Sequence, residues 1–509
     1  MRNIFIYFLS VLLLPGCIQE NKVSRPPNII FILADDLGYA ELGCYGQEKI
    51  QTPNIDQLAS NGMKFTQFYS GAPVCAPARC VLLTGKHAGH AYIRGNDEWR
   101  ERGEVWDFAK AVEDPGLEGQ RPIPDSLITV AELLQTAGYT TACVGKWGLG
   151  APYTEGAPNQ QGFDFFFGYN CQRQAHTYYP KHLWRNEEKI WLSNDLVIPG
   201  TKLDLDADPL DENSYIRYSQ PEYAPDLMLD ETLTFLEENS ENPFFLYFAT
   251  PIPHVPLQAP DSIVQKYKLL FGDENPYLGE QGYFPNIKPR ATYAAMVTYL
   301  DSQVGQIIQK LQDLGVYENT IIFFTSDNGP SYAGGADSQF FDSAAPFGSE
   351  YGRGKGFVYE GGIRVPLLVQ WPGKIVPSSK SDHISAFYDI LPTLCDIGGV
   401  NVTCESDGYS LIPTLTDEGN QDNHEFLYWE FPSYKGQQAV RMGKWKGIRR
   451  NIYEGNMNIE LYDLEKDILE ENDVSEENPE VLLAIEKILK SQHEPSSIQR
   501  FQFKELGDE

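Results

Sequence analysis

The sequence is poor in positive charge and in histidine. Its 509 residues include 40 lysines and arginines against 71 aspartates and glutamates, with only 8 histidines, so the formal net charge is −31. This charge disfavours general binding to nucleic acids or anionic membranes, and we predict no nucleic-acid partner. It does not exclude an anionic substrate, because the local field of a cleft can oppose the net charge. Apolar residues make up 42% of the chain, which predicts a globular protein.

The sequence also lacks an apolar run long enough to span a bilayer comfortably. The most apolar segment, residues 4–14, ends in Leu14-Pro15-Gly16-Cys17, which resembles a bacterial lipobox. We therefore predict a lipoprotein-type signal peptide and lipobox at residues 1–17, lipidation of Cys17, and a tether at residues 18–26. The mature protein would be exported, as a periplasmic or cell-surface bacterial lipoprotein held at the membrane by this anchor alone. An ordinary cleaved signal peptide is the alternative.

Eight cysteines in an exported chain raise the question of disulfides. Cys395 and Cys404 bracket a short polar loop and form a candidate pair. The sequence alone does not establish the connectivity.

Short apolar segments alternate with amphipathic helical patterns from residue 27 onward. Asn28 to Ala34 reads NIIFILA, a continuous apolar run typical of parallel strands that are covered on both faces. Similar runs lie at residues 140–144, 243–249, 320–325 and 366–370, and the helical patterns between them include residues 128–137 and 293–314. This alternation predicts an α/β fold with a mostly parallel central sheet and helices on both faces.

The character of the sequence changes after about Gly399. Four short strand-like segments and a final helical pattern follow, at residues 426–430, 438–441, 445–449, 460–463 and 479–490. We predict a catalytic domain at residues 27–399 and a small C-terminal α+β subdomain with an antiparallel sheet at residues 400–509. The irregular stretch 172–289 is rich in aromatic residues and is predicted to form the wall of a pocket.

Two pairs of side chains with oxygen donors directly follow two of the predicted strands. Asp35-Asp36 comes after the first strand, and Ser326-Asp327-Asn328-Gly329 ends the strand at residues 320–325. Open α/β sheets place ligand groups at the carboxyl ends of their strands. Three carboxylates and one amide oxygen suit Ca²⁺, and no histidine stands beside either motif to suggest zinc. Two solvated turns are the alternative, since Asp and Asn are common turn residues.

The most specific pattern in the chain is Cys75-Ala76-Pro77-Ala78-Arg79, followed by Leu82-Leu83-Thr84-Gly85. Here the sequence resembles the type I, formylglycine-dependent sulfatase family of the alkaline phosphatase-like superfamily, whose hallmark is C-x-P-x-R followed by L-x-T-G. The resemblance runs from Pro27 into the C-terminal region. It includes, in family order, Asp35-Asp36, Gly145-Lys146-Trp147, Pro253-His254, the Ser326–Gly329 motif, and Gly354-Lys355-Gly356 before Glu360-Gly361-Gly362.

This resemblance implies an alkaline phosphatase-like sandwich fold and a hydrolase that releases sulfate from an organic ester. It implies that a sulfatase-maturation enzyme oxidises Cys75 to formylglycine, whose hydrate supplies one hydroxyl to attack sulfur and another to expel sulfate. It further implies that Ca²⁺ favours the ionised hydroxyl and holds a sulfate oxygen. The implied metal ligands are Asp35, Asp36, Asp327, Asn328 and residue 75.

The resemblance also assigns roles to basic residues. Arg79, one helical turn after Cys75, is expected to hold the nucleophile in place. Lys146 and Lys355 are expected to contact sulfate oxygens. His254 matches the family histidine near the leaving oxygen and is the expected general acid, with Lys355 as the second candidate. Each lysine taken alone would be interpreted as a solvated surface group.

One position departs from the family pattern. Many members have histidine two residues after the first lysine, whereas this chain has Lys146-Trp147-Gly148. The usual base for regeneration of the aldehyde is therefore missing. The candidates to replace it are His87, His90 and His176, of which His90 is preferred.

The expected substrate is a sulfated carbohydrate, by context and family analogy. Arg173, His176 and Arg441 are expected to contact it, together with Lys146, His254 and Lys355. Alternatively, Arg173, His176 and Arg441 each have a structural role, in packing within loops or between domains. Two other functions remain open: a phosphoesterase of the same superfamily, and a lipoprotein that binds sulfated glycans and has lost catalysis at Gly148.

Overall fold

A computed structural model describes residues 25–509 of the chain. The predicted signal peptide, Cys17 and most of the predicted tether lie outside the described residues. Within residues 25–509, no helix combines the length and the apolar character needed to cross a membrane.

The strands form one large sheet and two smaller ones. In chain order they are β1 (Asn28–Ala34), β2 (Met63–Phe65), β3 (Phe68–Tyr69), β4 (Thr140–Lys146), β5 (Phe165–Tyr169), β6 (His182–Arg185), β7 (Glu188–Trp191), β8 (Phe244–Ala249), β9 (Thr320–Ser326), β10 (Leu367–Gln370), β11 (Ser379–Ser381), β12 (Ser385–Ala386), β13 (Leu427–Phe431), β14 (Gln437–Met442), β15 (Trp445–Arg450) and β16 (Glu460–Asp463). The large sheet has ten strands in the order β11-β2-β10-β9-β1-β8-β4-β5-β6-β7. Its centre, from β9 to β5, is parallel throughout.

Helices cover both faces of the large sheet. In chain order they are α1 (Pro53–Asn61), α2 (Cys75–Thr84), α3 (Phe108–Glu113), α4 (Val130–Thr136), α5 (Ala224–Asn239), α6 (Asp261–Phe271), α7 (Pro289–Asp313), α8 (Glu360–Ile363), α9 (Ile390–Gly398), α10 (Ile412–Thr416) and α11 (Pro479–Ser491). Phe31 of β1 packs in one core with residues of α2, α4 and α9. Ile32 packs in a second core with residues of α1, α5 and α7. Alternate side chains of β1 thus enter two cores, which explains its uninterrupted apolar run.

The predicted α/β fold with a mainly parallel sheet is confirmed, with one difference in strand direction. β10 runs antiparallel to both β9 and β2. Its apolar run resembles those of the parallel strands because all of its residues are buried. An apolar run therefore reports burial on both faces, not the direction of the strand.

The stretch 172–289 is only partly the pocket wall predicted from the sequence. It contains β6 to β8 and the helices α5 and α6. Acidic residues on the outer side of α5 obscure its helical period, yet Leu229, Phe235 and Leu236 are buried in the second core. Tertiary packing, rather than local pattern, defines this helix.

The predicted antiparallel C-terminal sheet is also confirmed. β13 to β16 pair in sequence order, and α11 packs against β14 and β15. The contact with the large domain includes a buried charge cluster around Glu360, which accepts hydrogen bonds from Lys446 Nζ at 2.8 Å, Tyr69 Oη at 2.8 Å and Arg364 at 3.0 Å. Trp429 also donates to the Ser70 carbonyl at 2.8 Å. These contacts connect the small sheet to the segment that precedes α2.

The described cysteines are all free thiols, Cys395 and Cys404 included. The candidate disulfide between these two residues is therefore absent from the structure.

Candidate active site

The carboxyl ends of β1 and β9 bring both acidic motifs together. The two strands are parallel and in register, with Ala34 opposite Ser326. The Asp36 amide donates to Asp327 Oδ1 at 3.1 Å, and Asn328 Nδ2 donates to Asp36 Oδ1 at 2.8 Å. Asp36 has a φ of 65°, a left-handed conformation that Asp tolerates better than most residues. This turn ends β1 and lets both consecutive aspartates face one centre.

Cys75 is the first residue of α2 and is buried beside these carboxylates. Its Sγ lies 3.3 Å from Asp35 Oδ1, 3.5 Å from Lys146 Nζ and 3.8 Å from Lys355 Nζ. Burial and the charge of Asp35 raise the pKa of the Cys75 thiol, and the two lysines do not compensate. An unmodified Cys75 is thus a neutral thiol and a poor nucleophile.

Arg79 is fully buried one turn along α2. Its guanidinium donates twice to Asp327 Oδ2, at 3.2 and 2.9 Å, and also to the backbone carbonyl of Lys146. Arg79 therefore fixes Asp327 and the end of β4, so it stabilises the surroundings of Cys75 rather than touching its sulfur.

The lysines are paired with the aspartates. Lys146 Nζ lies 2.5 Å from Asp35 Oδ2, and Lys355 Nζ lies 2.7 Å from Asp36 Oδ2. Burial opposes ionisation of Asp35, but the electrostatic effects of Lys146, His254, Arg79 and Lys355 together outweigh it and lower the pKa of Asp35. Burial raises the pKa of Asp36, and it raises that of Asp327 to about 7. Such opposed shifts in one buried cluster are typical of functional sites.

His254 faces the same cluster in a defined tautomer. Its Nδ1 lies against the Val255 backbone carbonyl, which can only accept, so Nδ1 carries the proton. Nε2 therefore presents a lone pair, 3.7 Å from Asp36 Oδ2. Burial and the nearby Lys355 and Lys146 lower the pKa of His254 well below its usual value, so the ring is neutral.

Two further aromatic residues surround His254. The His176 ring stacks on it with centroids 5.4 Å apart, and Tyr283 packs against the edges of both rings. Of the three histidines considered as the missing base, His176 is therefore the one beside the site. Tyr283 was not identified from the sequence, because a lone tyrosine in an irregular stretch carries no motif.

The structure does not bring His90 to this site. The residue follows the C-terminal end of α2, whereas Cys75 begins that helix. Its Nδ1 pairs with Asp407 at 2.9 Å and its ring stacks on His87, with centroids 3.9 Å apart. The Asp407 amide donates to the Gly85 carbonyl, which fixes this cluster at the far end of the helix.

The His90–Asp407 pair predicts a pH-dependent contribution to stability. Burial opposes protonation of His90, but the hydrogen bond to Asp407 and the charges of Asp407 and Glu494 together outweigh it and raise the pKa of His90, while that of Asp407 is lowered. The contribution should be complete between about pH 4 and 6.5, the unfolded pKa values of Asp and His, and lost as pH rises through the folded pKa of His90. The His90→Gln variant should therefore be less stable by about 1 kcal/mol near pH 6 and nearly equal to wild type near pH 9. Urea unfolding at both pH values measures this difference.

His383→Gln is the control for that experiment. Burial lowers the pKa of His383, so its contribution to stability is lost as pH falls and the trend should be opposite. A pH-independent loss of stability in the His90→Gln variant would contradict the ion pair.

Neither Arg173 nor Arg441 reaches the cluster, although both were expected to contact substrate. The Arg173 guanidinium donates to the carbonyls of Val105 and Trp106 and lies over the Trp106 ring. Arg441, in β14 of the C-terminal sheet, donates to the hydroxyl of Tyr69 in β3 and to Gln67. Both side chains therefore have hydrogen-bond partners within the protein, and their contact with substrate stays a prediction.

Gly148 leaves no room for a side chain. Its φ is 84°, and a Cβ there would lie 2.7 Å from Cγ of Gln172. Gln172 Nε2 donates to Asn96 Oδ1, which also accepts from the amide of Ala76, the residue after Cys75. An amide thus occupies the space next to position 148, and an amide can hydrogen-bond but cannot take up a proton.

The donor set at the strand ends fits a hard divalent cation. Asn328 Oδ1 is buried and has no hydrogen-bond partner in the protein, a costly arrangement that a cation would relieve. Ligand atoms of Asp35, Asp36, Cys75 and His254 lie within 4.8 Å of one another. Oxygen ligands dominate once Asp327 and Asn328 are included, as Ca²⁺ prefers.

The acidic ends of the central parallel strands lie beside a buried residue at a helix N-terminus, an arrangement similar to that of hydrolases of the alkaline phosphatase-like class. A family model described as Sulfatase matches residues 27–400, and one described as N-sulphoglucosamine sulphohydrolase, C-terminal, matches residues 350–496. The chain belongs to the sulfatase family and is a sulfuric ester hydrolase.

The similar proteins agree with this assignment. Human arylsulfatase A is 32% identical over 452 residues, which cover 83% of this chain and 75% of the relative. Human N-acetylgalactosamine-6-sulfatase is 30% identical over 440 residues, 85% of this chain and 74% of the relative. The solved structure of Ps i-CgsB in complex with k-i-k-neocarrahexaose has a TM-score of 0.71 and 27% identity, and the match covers 92% of this chain and 94% of that one.

Proposed function

We propose that this protein releases inorganic sulfate from a sulfated carbohydrate, using a formylglycine made from Cys75 and a bound Ca²⁺. The observation that carries the proposal is the position of Cys75, between Asp35 and two lysines at the start of α2. The relative named N-acetylgalactosamine-6-sulfatase, and the similar structure in complex with k-i-k-neocarrahexaose, support a carbohydrate substrate.

A buried, neutral thiol is a poor nucleophile, and conversion of Cys75 to formylglycine would replace it with a better one. Burial and the charge of Asp35 raise the pKa of the Cys75 thiol, so the thiol stays neutral. A hydrated aldehyde supplies two hydroxyls, one to attack sulfur and one whose ionisation releases sulfate. This conversion requires a sulfatase-maturation enzyme, which we propose as a partner that oxidises Cys75.

Asp35, Asp36, Asp327 and Asn328 would hold the calcium ion, together with residue 75. When bound, Ca²⁺ supplies positive charge that favours an ionised hydroxyl at residue 75 and polarises a sulfate oxygen. Asp35, Asp36 and Asp327 are already paired with Arg79, Lys146 and Lys355. The added charge would therefore be available for an anionic substrate.

Lys146 and Lys355 are placed to bind the sulfate group. Both amines lie within 3.8 Å of Cys75 Sγ, and the surrounding anions, above all Asp35 and Asp36, outweigh burial and raise both lysine pKa values, so both remain cationic. The N-terminus of α2 adds the favourable end of a helix dipole at the same point. These fixed charges favour the transition state because they need no reorganisation during the reaction.

The leaving oxygen needs a proton, and two residues are positioned to provide it. Lys355 already carries one, but its raised pKa makes it a weak acid. His254 is neutral, and its free Nε2 can take up a proton when the anionic sulfate arrives. We assign His254 as the general acid on this ground. We assign His176, which stacks on His254, as the base that replaces a histidine at position 148.

The proposed cellular setting follows from residues 1–17. The protein would be exported and lipidated at Cys17, as a periplasmic or cell-surface lipoprotein of a bacterium.

Comparison of two aryl esters tests the reaction. The protein, produced with a maturation enzyme and supplied with Ca²⁺, should hydrolyse 4-nitrophenyl sulfate with a much higher kcat/KM than 4-nitrophenyl phosphate. A panel of sulfated mono- and oligosaccharides should show release of free sulfate. The opposite ester preference would identify a phosphoesterase, and glycan binding without sulfate release would identify a binding protein.

A further inference from the structure

Four aromatic residues surround the glycine-rich segment that carries Lys355. Tyr332, Tyr351 and Phe357 come from the large domain, and Tyr434 comes from the turn between β13 and β14. Successive ring centroids lie 5.4 Å apart for Tyr332–Tyr351, 5.2 Å for Tyr351–Phe357 and 5.3 Å for Phe357–Tyr434. We call these four residues the aromatic rim.

The aromatic rim is continuous with the active site. The Lys355 amide donates to the Pro330 carbonyl and the Gly356 amide to the Pro73 carbonyl, so this segment lies between the loop after Asn328 and the loop before Cys75. The Tyr434 ring lies so close to Gly356 that a Cβ there would approach it to 3.0 Å. The rim therefore begins one residue from a lysine whose amine is 3.8 Å from Cys75 Sγ.

Two of the four rings are open to solvent. Tyr351 is 69% and Tyr434 is 47% exposed, whereas Phe357 is buried beneath them. Tyr434 also has a φ of 48° and the following Lys435 a φ of 72°, left-handed conformations that cost free energy for residues other than glycine. The turn thus holds a large, partly exposed ring next to the site, packed on Phe357 and Phe431.

We infer that Tyr351 and Tyr434 form a stacking subsite for the sugar unit next to the sulfated one, so that the substrate is an oligosaccharide rather than a single sugar. The inference rests on the proposed function. A pyranose ring presents an apolar face of C–H groups that suits the face of a tyrosine, while its hydroxyls remain in water. The sulfate group would lie at Cys75, Lys146 and Lys355, and the neighbouring sugar units would extend across the aromatic rim.

The test compares substrates of different length with two variants. Sulfated mono-, di-, tetra- and hexasaccharides from carrageenan, chondroitin sulfate and heparan sulfate serve as probes, and 4-nitrophenyl sulfate serves as a substrate that cannot reach the rim. In the wild type, kcat/KM should rise by about tenfold from monosaccharide to oligosaccharide, which corresponds to about 1.4 kcal/mol. Tyr434→Ala and Tyr351→Ala should each remove most of this gain through KM, with little change in kcat and none for the aryl sulfate.

Tyr409→Ala is the matched control. Tyr409 is 43% exposed but packs on His424, near the opposite end of α2, and its loss should leave the dependence on length unchanged. The inference fails, with the proposed function intact, if lengthening the sugar brings no gain or if the rim variants keep the gain; hydrolysis of the aryl sulfate alone would refute the proposed carbohydrate substrate. Loss of all sulfatase activity in the wild type would instead refute the proposed function.

Discussion

Substitution of Cys75 by alanine is expected to lower kcat for sulfate esters by roughly 10⁴-fold or more, because it removes the nucleophile and the source of the aldehyde. The fold should persist, because the Cys75 thiol contacts side chains rather than the backbone, and Cys75 belongs to neither of the two cores that cover the large sheet. Sulfate release measures the loss, and peptide mass spectrometry of the active wild type should show that residue 75 has lost its sulfur.

Cys80→Ala is the control for this experiment. Cys80 lies on the same helix, is fully buried and packs in the core, so its replacement costs packing but no chemistry. Its variant should lose some stability and retain a normal kcat. A free thiol at position 75 in a fully active preparation would contradict the proposal.

Substitution of Asn328 by alanine is expected to weaken calcium binding by about tenfold or more, since it would remove a neutral oxygen ligand from the proposed calcium site. Calcium at 100 times its Kd should stabilise the wild type by about 2.7 kcal/mol. The variant should need correspondingly more calcium for the same rise in Tm. Thermal unfolding over a calcium titration measures this without any assay of activity.

The matched variant for calcium is Asn194→Ala. Asn194 is equally buried, but its amide is satisfied by the carbonyls of Pro180 and Glu222 and by the Glu222 amide. Its loss should lower Tm at every calcium concentration by the same amount. If chelation leaves both the activity and the Tm of the wild type unchanged, the site does not use a metal.

The parts of the site that could be predicted from the sequence are those whose position follows from strand ends and one helical turn. Asp35-Asp36 and Asp327-Asn328 each continue an apolar strand, and parallel register brings them together. Arg79 follows Cys75 by one turn of α2, and this spacing is visible in the motif itself. Local geometry is sufficient in such cases.

The parts that could not be predicted depend on contacts distant in sequence. His90 was preferred as a base because it lies near the Cys75 motif in sequence, but α2 carries it to the other end of the helix, where Asp407 holds it. His176 reaches the site only because its loop packs against the loop that holds His254. The carbonyl and hydroxyl partners of Arg173 and Arg441 likewise lie far away in sequence and leave no local pattern.

Gln172 illustrates a third limit. The sequence shows that a side chain is missing at Gly148, but it does not show what fills the space. The answer is a residue 24 positions later, on the loop after the neighbouring strand β5. Such compensation between loops leaves no local pattern, because each residue taken alone is unremarkable.

The buried cluster around Glu360 has a consequence for how this architecture can be altered. Glu360 belongs to the large domain, and Lys446 and Glu470 belong to the C-terminal subdomain. All three side chains are buried. A buried carboxylate deprived of its cation costs several kcal/mol. The C-terminal subdomain therefore cannot be removed without destabilising the large domain. The C-terminal subdomain could be exchanged between relatives, for example to transfer specificity through residues such as Tyr434. Such an exchange would succeed only if the charges on both sides of the domain contact still matched.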